Sequence, residues 1–514
     1  MHCPAEIAEV ILPILQYGLI RVRAFAWQGQ AELCAVEADH IHNLPDLLAD
    51  YTPQKLYYYV PTCVPESTAV TAGAELTPGD IQEMLGWKGI WGLGEVMDYP
   101  AVLKGERKMM RILETGSDKG VVIDGHAPLL TGLELNAYAL SGAEADHENF
   151  TVEAMLEKLR LGFYVKLRGP YILDTKKFVR AIRRIPHPYN LILCTDDVLP
   201  DNLAKLGHLD YVCRAFLDSG MDPVEVVRSV TLRPALHMRK FELGAISPGR
   251  IADIVLLRDL RRFDVRLVVA NGAPVAKDGR MLVSFDDRRF DGSTMDTMKL
   301  APLGPEDFDV RPPKTDGSVQ VNVVDFDDPG KGEDPGETFA RLILTKMGRA
   351  SLDVKHGRLE LGDICLVFVF ERHGKNGGRA FGFARNLIHS GAMATTVAHD
   401  SHNLLVAGTD VNDMLAAANL VIESKGGIAA VMRMKTLAQV RLPIAGLMSE
   451  GSLEHVAREV QRLRLAFSKM GVLDHPYMPL PNLLALSVIP HARITDKGMF
   501  DVDAQKFVTP FVVQ

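Results

Sequence analysis

Residues 90–126 read IWGLGEVMDYPAVLKGERKMMRILETGSDKGVVIDGH, and this stretch decides the fold. A first apolar run carries Glu95 near its end, a longer segment with helical periodicity follows, and a second apolar run ends in His126. Two short β-branched runs joined by a helical segment predict a strand–helix–strand unit with parallel strands. The stretch therefore indicates an α/β protein with a polar side chain at the end of each strand.

The same alternation extends over residues 19–197, which favours a (β/α)8 barrel of the TIM type. Eight strands close such a barrel, whereas seven strand candidates are visible, so we expect the first barrel strand to be missing from this sequence. The seven candidates are Leu19–Ala26, Leu56–Pro61, Ile90–Met97, Val121–His126, Leu140–His147, Phe163–Arg168 and Leu191–Asp196.

Three regions follow the barrel, which we place at residues 1–240. Residues 241–285 are rich in β-branched residues and predict a small β-domain. Residues 286–337 are dense in Asp, Gly and Pro, which predicts a linker or a surface excursion. Residues 338–514 have their own apolar segments and predict a separate α+β domain. Its clearest elements are the strand Ile364–Phe370 and the helices Val411–Ser424 and Glu454–Met470.

The composition is that of an ordinary globular protein and excludes several classes. Hydrophobic residues make up 47% and charged residues 24% of the 514 residues. The formal net charge of −8 leaves no basic excess for a nucleic-acid backbone, so no nucleic-acid partner is expected. The six cysteines form no C-x-x-C pair, which indicates a reducing cytoplasm. The apolar stretch Ile7–Ile20 is too short to span a bilayer, so no membrane partner is expected.

Four metal-ligating residues come at or near the ends of successive strand candidates: Glu95, His126, His147 and Asp196. In a parallel barrel these strand ends meet at one face, where catalytic groups gather. Two imidazoles with carboxylates bind Zn, Fe or Mn, and such a cation makes water a nucleophile near neutral pH. A single His or Asp is more often a capping or core residue. Four of them in order favour a metal site.

Several short stretches resemble one known family. The segment GAISPGRIADIV (244–255) resembles the return from the barrel to the small β-domain in the amidohydrolase superfamily. Other stretches, spread over nearly the whole chain, resemble the adenine deaminase family within it. They are PTCVP (61–65), AGAEL (72–76), GLGEVM (92–97), DGHAP (124–128), DHE (146–148), CTDD (194–197), GHLDY (207–211), VAHDSHN (397–403) and LPIAGLMS (442–449).

The resemblance implies hydrolysis of adenine to hypoxanthine and ammonia by a metal-dependent enzyme. Glu95, His126 and His147 match metal ligands of the family, and Asp196 matches an Asp that both binds metal and shuttles a proton. Glu148 is a candidate second catalytic acid, although a Glu after a buried His also serves as its hydrogen-bond acceptor. For the divalent metal, we expect Mn or Fe rather than Zn.

The residues that contact the substrate are less evident. Cys63, Arg168 and His208 are candidates because they lie in or beside matched stretches near strand ends. His399 and His402 belong to a polar cluster in the C-terminal region, which predicts either a substrate contact or a hydrogen-bonded turn.

Two departures from the family pattern leave alternatives open. The family carries a first strand that ends in His-x-His and a further His after the second strand, whereas neither is found here and residues 26–32 read AWQGQAE. Either the start is placed too far downstream, or the chain has lost part of its metal site. The alternatives to adenine deamination are a silent paralogue that binds a purine or a partner subunit, and an amidohydrolase with another amine or amide substrate. A missing strand would expose two edges, so a homo-oligomer is expected.

Overall fold

The computed structural model describes residue 55 and the ranges 57–284, 295–327 and 335–512. The predicted strand Leu19–Ala26, the apolar stretch Ile7–Ile20 and residues 26–32 lie outside the described residues.

The described part of the barrel region is a six-stranded parallel sheet in sequence order. The strands are apolar and largely buried because helices follow most of them, as is typical of parallel sheets. This arrangement confirms the predicted α/β class. The strands are β1 (Tyr58–Val60), β2 (Ile90–Val96), β3 (Val122–Gly125), β4 (Ala145–Asp146), β5 (Tyr164–Leu167) and β6 (Leu191–Leu193).

Helices connect these strands and continue after β6. Thr77 caps the first helix through a reciprocal hydrogen-bond pair with Asp80, which satisfies the free backbone N–H groups at the helix start. The helices are α1 (Pro78–Met84), α2 (Tyr99–Lys104), α3 (Arg107–Asp118), α4 (Gly132–Ala139), α5 (Val152–Arg160), α6 (Thr175–Ile182), α7 (Pro200–Leu206), α8 (Leu209–Asp218), α9 (Pro223–Ser229) and α10 (Leu232–His237).

One strand is much shorter than predicted. The sequence predicted a strand over Leu140–His147, whereas β4 covers Ala145–Asp146 alone. Leu140 is the C-cap of α4 and its side chain lies in solvent, so its apolar character does not mark a strand. His147 nevertheless follows the strand end directly, and its predicted placement is unaffected.

Residues 254–281, within the region predicted to be a small β-domain, form an antiparallel sheet of four strands. Its strands are β7 (Ile254–Asp259), β8 (Asp264–Ala270), β9 (Ala273–Lys277) and β10 (Arg280–Met281).

The prediction of a linker over residues 286–337 is wrong for much of its described part. Strand β11 (Gly317–Asp325) lies inside the large C-terminal sheet, antiparallel to one neighbour and parallel to the other. Val319, Val321 and Val323 are buried on one face of the strand, and Val324 is buried on the other. The Asp, Gly and Pro clusters flank this strand and obscured its pattern.

The C-terminal region adds further strands after β11. They are β12 (Lys346–Lys355), β13 (Arg358–Glu360), β14 (Ile364–Phe370), β15 (Arg379–Arg385), β16 (Ala392–Thr395), β17 (Leu404–Gly408), β18 (Gly427–Met432), β19 (Lys435–Arg441), β20 (Ala492–Thr495), β21 (Gly498–Asp501) and β22 (Lys506–Val508). In the described part, a nine-stranded sheet has the order β13-β12-β11-β15-β14-β17-β16-β18-β19, a three-stranded sheet follows it, and two long helices pack on the region. The helices are α11 (Pro335–Ile343), α12 (Val411–Glu423) and α13 (Leu453–Met470), with short 3-10 turns at Pro305–Phe308 and Leu480–Leu483.

The barrel and the C-terminal region share one hydrophobic core. Phe150 of the barrel packs on Phe339 of α11, with ring centroids 5.9 Å apart. Arg464 of α13 places its Nε 2.7 Å from Oδ2 of Asp201, so an ion pair also joins the two regions. None of the helices in the described ranges is long and apolar enough to cross a membrane.

Candidate active site

Strand register brings three predicted site residues to one edge of the sheet. Val96 pairs with Gly125, and Gly125 pairs with Asp146. Glu95, His126 and His147 are each adjacent to one of these paired residues, so all three side chains reach the same level at the carboxyl end of the strands. This edge is where a (β/α) barrel places its chemistry.

These three side chains lie within coordinating distance of a common point. Nδ1 of His126 is 2.9 Å from Oε2 of Glu95, and Nε2 of His147 is 3.4 Å from Oε1 of the same carboxylate. One donor atom from each residue falls within 4.8 Å of the other two. One carboxylate and two imidazoles in this arrangement suit a divalent transition metal.

A second group shares His147 with the first. His147, Glu148 and Asp196 also offer donor atoms within 4.8 Å of one another. Nε2 of His147 lies 3.5 Å from Oε1 of Glu148 and 3.7 Å from Oδ2 of Asp196. Asp196 follows β6 with a left-handed backbone, at φ 62°, which is uncommon outside glycine. The structure therefore brings together all five predicted metal and catalytic residues.

Arg168 lies between the two candidate catalytic acids. Its Nη1 is 2.6 Å from Oδ2 of Asp196 and 3.0 Å from Oε1 of Glu148. The guanidinium carbon also lies 5.5 Å from the ring centroid of Phe150 and 5.9 Å from that of Tyr477. Arg168 was a candidate substrate contact, and the structure shows it paired with both acids.

Burial and charge act in opposite directions on these groups. Burial alone would raise the pKa of Asp196, but Arg168 and then His147 lower it to about 2. Burial likewise opposes ionisation of Glu95, but the facing imidazoles of His147 and His126 lower its pKa. Both carboxylates are therefore anionic at neutral pH, which is the form that binds a cation or accepts a proton.

The two histidines are drawn toward protonation by the same carboxylates. Burial lowers the pKa of His126, but Glu95 and then Glu148 outweigh it and raise the pKa to about 9. The charges of Glu95 and Asp196 likewise raise the pKa of His147, against the effect of burial. This cluster therefore attracts positive charge, whether as protons or as a cation.

Two buried ion pairs beneath the site were missed by the sequence reasoning. Nζ of Lys158 lies 2.6 Å from Oδ2 of Asp146, and it also donates to the carbonyls of Ala127 and Glu148. Lys166 pairs with Asp124 in the same layer. The pairs hold the backbone beside the site residues. The signal was present, since charged residues inside the apolar strand sequences VVIDG and YVKL are costly to bury without a partner.

A cavity opens above the site and is lined by both regions of the chain. The barrel contributes the predicted metal and catalytic residues together with Asp197. Burial, and then the neighbouring Asp196, raise the pKa of Asp197 to about 7. The C-terminal region contributes Tyr477, His399 and Asp400 among others. Asp400 belongs to the polar cluster noted in the sequence of the C-terminal region, whereas Tyr477 was not singled out, because no local pattern ties it to the barrel.

The remaining candidates for substrate contact do not line this cavity. Cys63 lies beneath it, with Sγ 4.0 Å from the carbonyl oxygen of Glu95, and burial raises the pKa of its thiol to about 12. His208 begins α8 and lies 3.5 Å from the hydroxyl of Thr195. His402 is fully buried behind His399, with ring centroids 5.4 Å apart. Of the five candidates, Arg168 and His399 reach the cavity.

Comparison with known proteins identifies two family matches along the chain. Residues 33–275 match the amidohydrolase family, and residues 342–506 match the adenine deaminase C-terminal domain. An adenine deaminase of Methanosphaera stadtmanae is 34% identical over 468 residues, covering 90% of this chain and 81% of that protein. One of Rubrobacter xylanophilus is 36% identical, covering 89% and 75%. One of Methanothermobacter thermautotrophicus is 36% identical, covering 88% and 80%.

Proposed function

The chain belongs to the adenine deaminase family of the amidohydrolase superfamily, and from this we propose that it hydrolyses adenine to hypoxanthine and ammonia in the cavity above the barrel sheet. The observation that carries the proposal is the convergence of Glu95, His126, His147, Glu148 and Asp196 at one end of the parallel strands. Carboxylates and imidazoles gathered in this way suit metal-assisted hydrolysis of a carbon–nitrogen bond.

The residues present fit a divalent metal. Glu95, His126, His147 and Asp196 would hold it, and Nε2 of the buried His126 has no hydrogen-bond partner among the described residues. A cation bound there supplies Lewis acidity, which makes water a nucleophile near neutral pH. We propose Mn or Fe rather than Zn as the metal, and a donor set of two imidazoles and carboxylates accepts either ion.

The chain's own residues then carry out the proton transfers. Asp196, which is anionic at neutral pH, accepts a proton from the attacking water and passes it to the departing amine at C6. Glu148 hands a proton to a ring nitrogen as the C6–oxygen bond forms and takes one back from the C6 hydroxyl as the carbon–nitrogen bond breaks. The carbon–nitrogen bond breaks, and the products are hypoxanthine and ammonia. Arg168 holds both carboxylates in position through its contacts of 2.6 and 3.0 Å.

The test is ammonia release from adenine by the full chain loaded with Mn(II) or Fe(II), with metal per chain measured on the same sample. Asp196→Asn is expected to lower kcat by about 100-fold or more while metal stays bound, since proton transfer contributes about 10²–10⁴-fold. The exposed Asp218→Asn on α8 is the matched control and should leave turnover unchanged. Undiminished turnover in Asp196→Asn would overturn the assigned role.

We propose the cytoplasm as the compartment and a homo-oligomer as the assembly. The four cysteines within the described ranges are buried, and their wide spacing along the chain suits a reducing environment. Leu133 and Leu140, each 89% exposed, lie seven residues apart at the two ends of α4 and thus on one helical face. Two exposed leucines on one face favour self-association.

A further inference from the structure

The C-terminal region contributes few polar groups to the active-site cavity. Apart from the phenol of Tyr477, the polar side chains that its described residues place there are His399 and Asp400. The others are apolar or aromatic: Phe339, Ile343, Met478, Leu483, Leu486 and Ile489. A purine is planar and largely apolar on its faces, but its edge carries nitrogens that require hydrogen-bond partners once buried. Two polar groups in an apolar lining therefore define where that edge can bind.

His399 and Asp400 form a fixed pair at the cavity wall. Nδ1 of His399 lies 2.8 Å from Oδ1 of Asp400, and each residue is 7% exposed. Burial lowers the pKa of His399, but the hydrogen bond to Asp400 and the charges of Asp197 and Asp196 raise it overall. An imidazole held in this way offers an N–H donor beside a carboxylate acceptor.

The loop that carries the pair, residues 396–403, is held from several sides. The backbone N–H of His399 donates to the carbonyl of Asn482 at 2.9 Å, and Nε of Arg372 donates to the carbonyl of His402 at 2.5 Å. Nδ2 of Asn403 donates to the carbonyl of Thr71 in the barrel region at 2.8 Å. A loop anchored to both regions keeps its side chains in place, which is what a recognition site requires.

We propose that His399 and Asp400 bind the N3/N9 edge of the purine, with His399 donating to N3 and Asp400 accepting from N9–H. This inference rests on the proposed function, because it names the partner of the substrate edge away from the reacting C6. Adenine presents the donor N9–H next to the acceptor N3, which is complementary to the Asp400 acceptor beside the His399 donor. A substituent at N9 removes the donor and leaves the buried carboxylate of Asp400 without its partner.

The experiment measures binding by calorimetry to the metal-loaded full chain, with purine and 9-methylpurine as ligands. Both lack the amine at C6, so binding is read without turnover. Wild type is expected to bind purine at least tenfold more tightly than 9-methylpurine. Asp400→Ala should weaken purine binding by about 10- to 100-fold, the range for a hydrogen bond to a charged group, and leave 9-methylpurine binding nearly unchanged. The affinity of Asp400→Asn for purine should lie between those of wild type and Asp400→Ala, because its side-chain amide keeps an acceptor oxygen.

The exposed Asp353→Ala on β12 is the control and should bind both ligands as wild type does. Thermal unfolding of each variant verifies that it is folded, and the isosteric Asp400→Asn keeps the test valid if Asp400→Ala does not fold. Equal affinity of wild type for the two ligands, or equal loss of both in the Asp400 variants, overturns the assignment. Ammonia release from adenine by wild type is measured alongside. Absence of ammonia release contradicts the proposed function. The comparison of purine with 9-methylpurine separately tests the assignment of His399 and Asp400.

Discussion

Arg168 shows at the scale of a single residue how the site balances its charges. Its guanidinium contacts Asp196 and Glu148 with Nη1, and burial of all three side chains strengthens these interactions. Without this cation the two carboxylates would lose their shared partner, and Asp196 would take up a proton more readily. Arg168 is therefore a positioning residue, since it contacts both proton carriers and carries no proton itself.

We expect Arg168→Gln to lower kcat for adenine by about tenfold or more, because an unpaired buried carboxylate reorients or takes up a proton. Without Arg168, burial raises the pKa of Asp196 and mainly the charge of His147 opposes it, so the acidic limb of the kcat/KM profile should move to higher pH. Steady-state ammonia release between pH 4 and pH 9 measures both effects. Arg214→Gln, which removes an ion pair with Asp210 on α8, is the matched control. A profile that does not move in Arg168→Gln would contradict the positioning role.

At the scale of one element, a half-buried histidine precedes helix α8. His208 is the N-cap residue, and burial lowers the pKa of its imidazole to about 3 from an ordinary value of 6.5. Between these two values the unfolded chain binds a proton that the folded chain does not. The free energy of unfolding therefore falls as the pH is lowered from 6.5 toward 3, and the contribution is complete above 6.5.

We expect His208→Gln to reduce this acid sensitivity. Urea unfolding of wild type and variant between pH 8 and pH 4 should show a slope difference approaching about 1.4 kcal/mol per pH unit below pH 6, the value for one proton. Above pH 7 the difference in unfolding free energy between the two proteins should be constant, which is the internal control. Parallel curves over the whole range would contradict a half-buried, neutral His208.

At the scale of the whole molecule, the cavity exists because two regions of the chain pack together. Phe339 of α11 is buried against Phe150 of the barrel, and its ring also lies 5.2 Å from that of Tyr477. The apolar contact places the C-terminal lining over the barrel residues. Substrate binding and the packing of the two regions are thus coupled through the same side chains.

We expect Phe339→Ala to destabilise the protein by about 3–5 kcal/mol, the range for a buried Phe truncated in a core. The KM for adenine should rise, because part of the apolar lining is lost. Urea unfolding and steady-state kinetics measure the two effects. Phe507→Ala is the control, since that side chain is 49% exposed on β22 and lies outside the cavity. Equal effects of the two substitutions would contradict the coupling.

The sequence by itself determined the parallel α/β order and the residues Glu95, His126, His147 and Asp196. Strand periodicity is local, and a polar residue at the end of each apolar run can be read without knowing the fold. The resemblance of short motifs added the family. The same local pattern did not predict strand β11, because residues typical of loops flank its valines.

Only the tertiary structure decided which other groups share the site. Arg168 meets Asp196 across 28 residues, and His399 and Asp400 enter the cavity about 200 residues after the last barrel ligand. Such contacts depend on how strands register and how two regions dock, and no sequence pattern encodes them. The physical reason is that burial raises the cost of an unpaired charge, so the partners are set by packing rather than by neighbours along the chain.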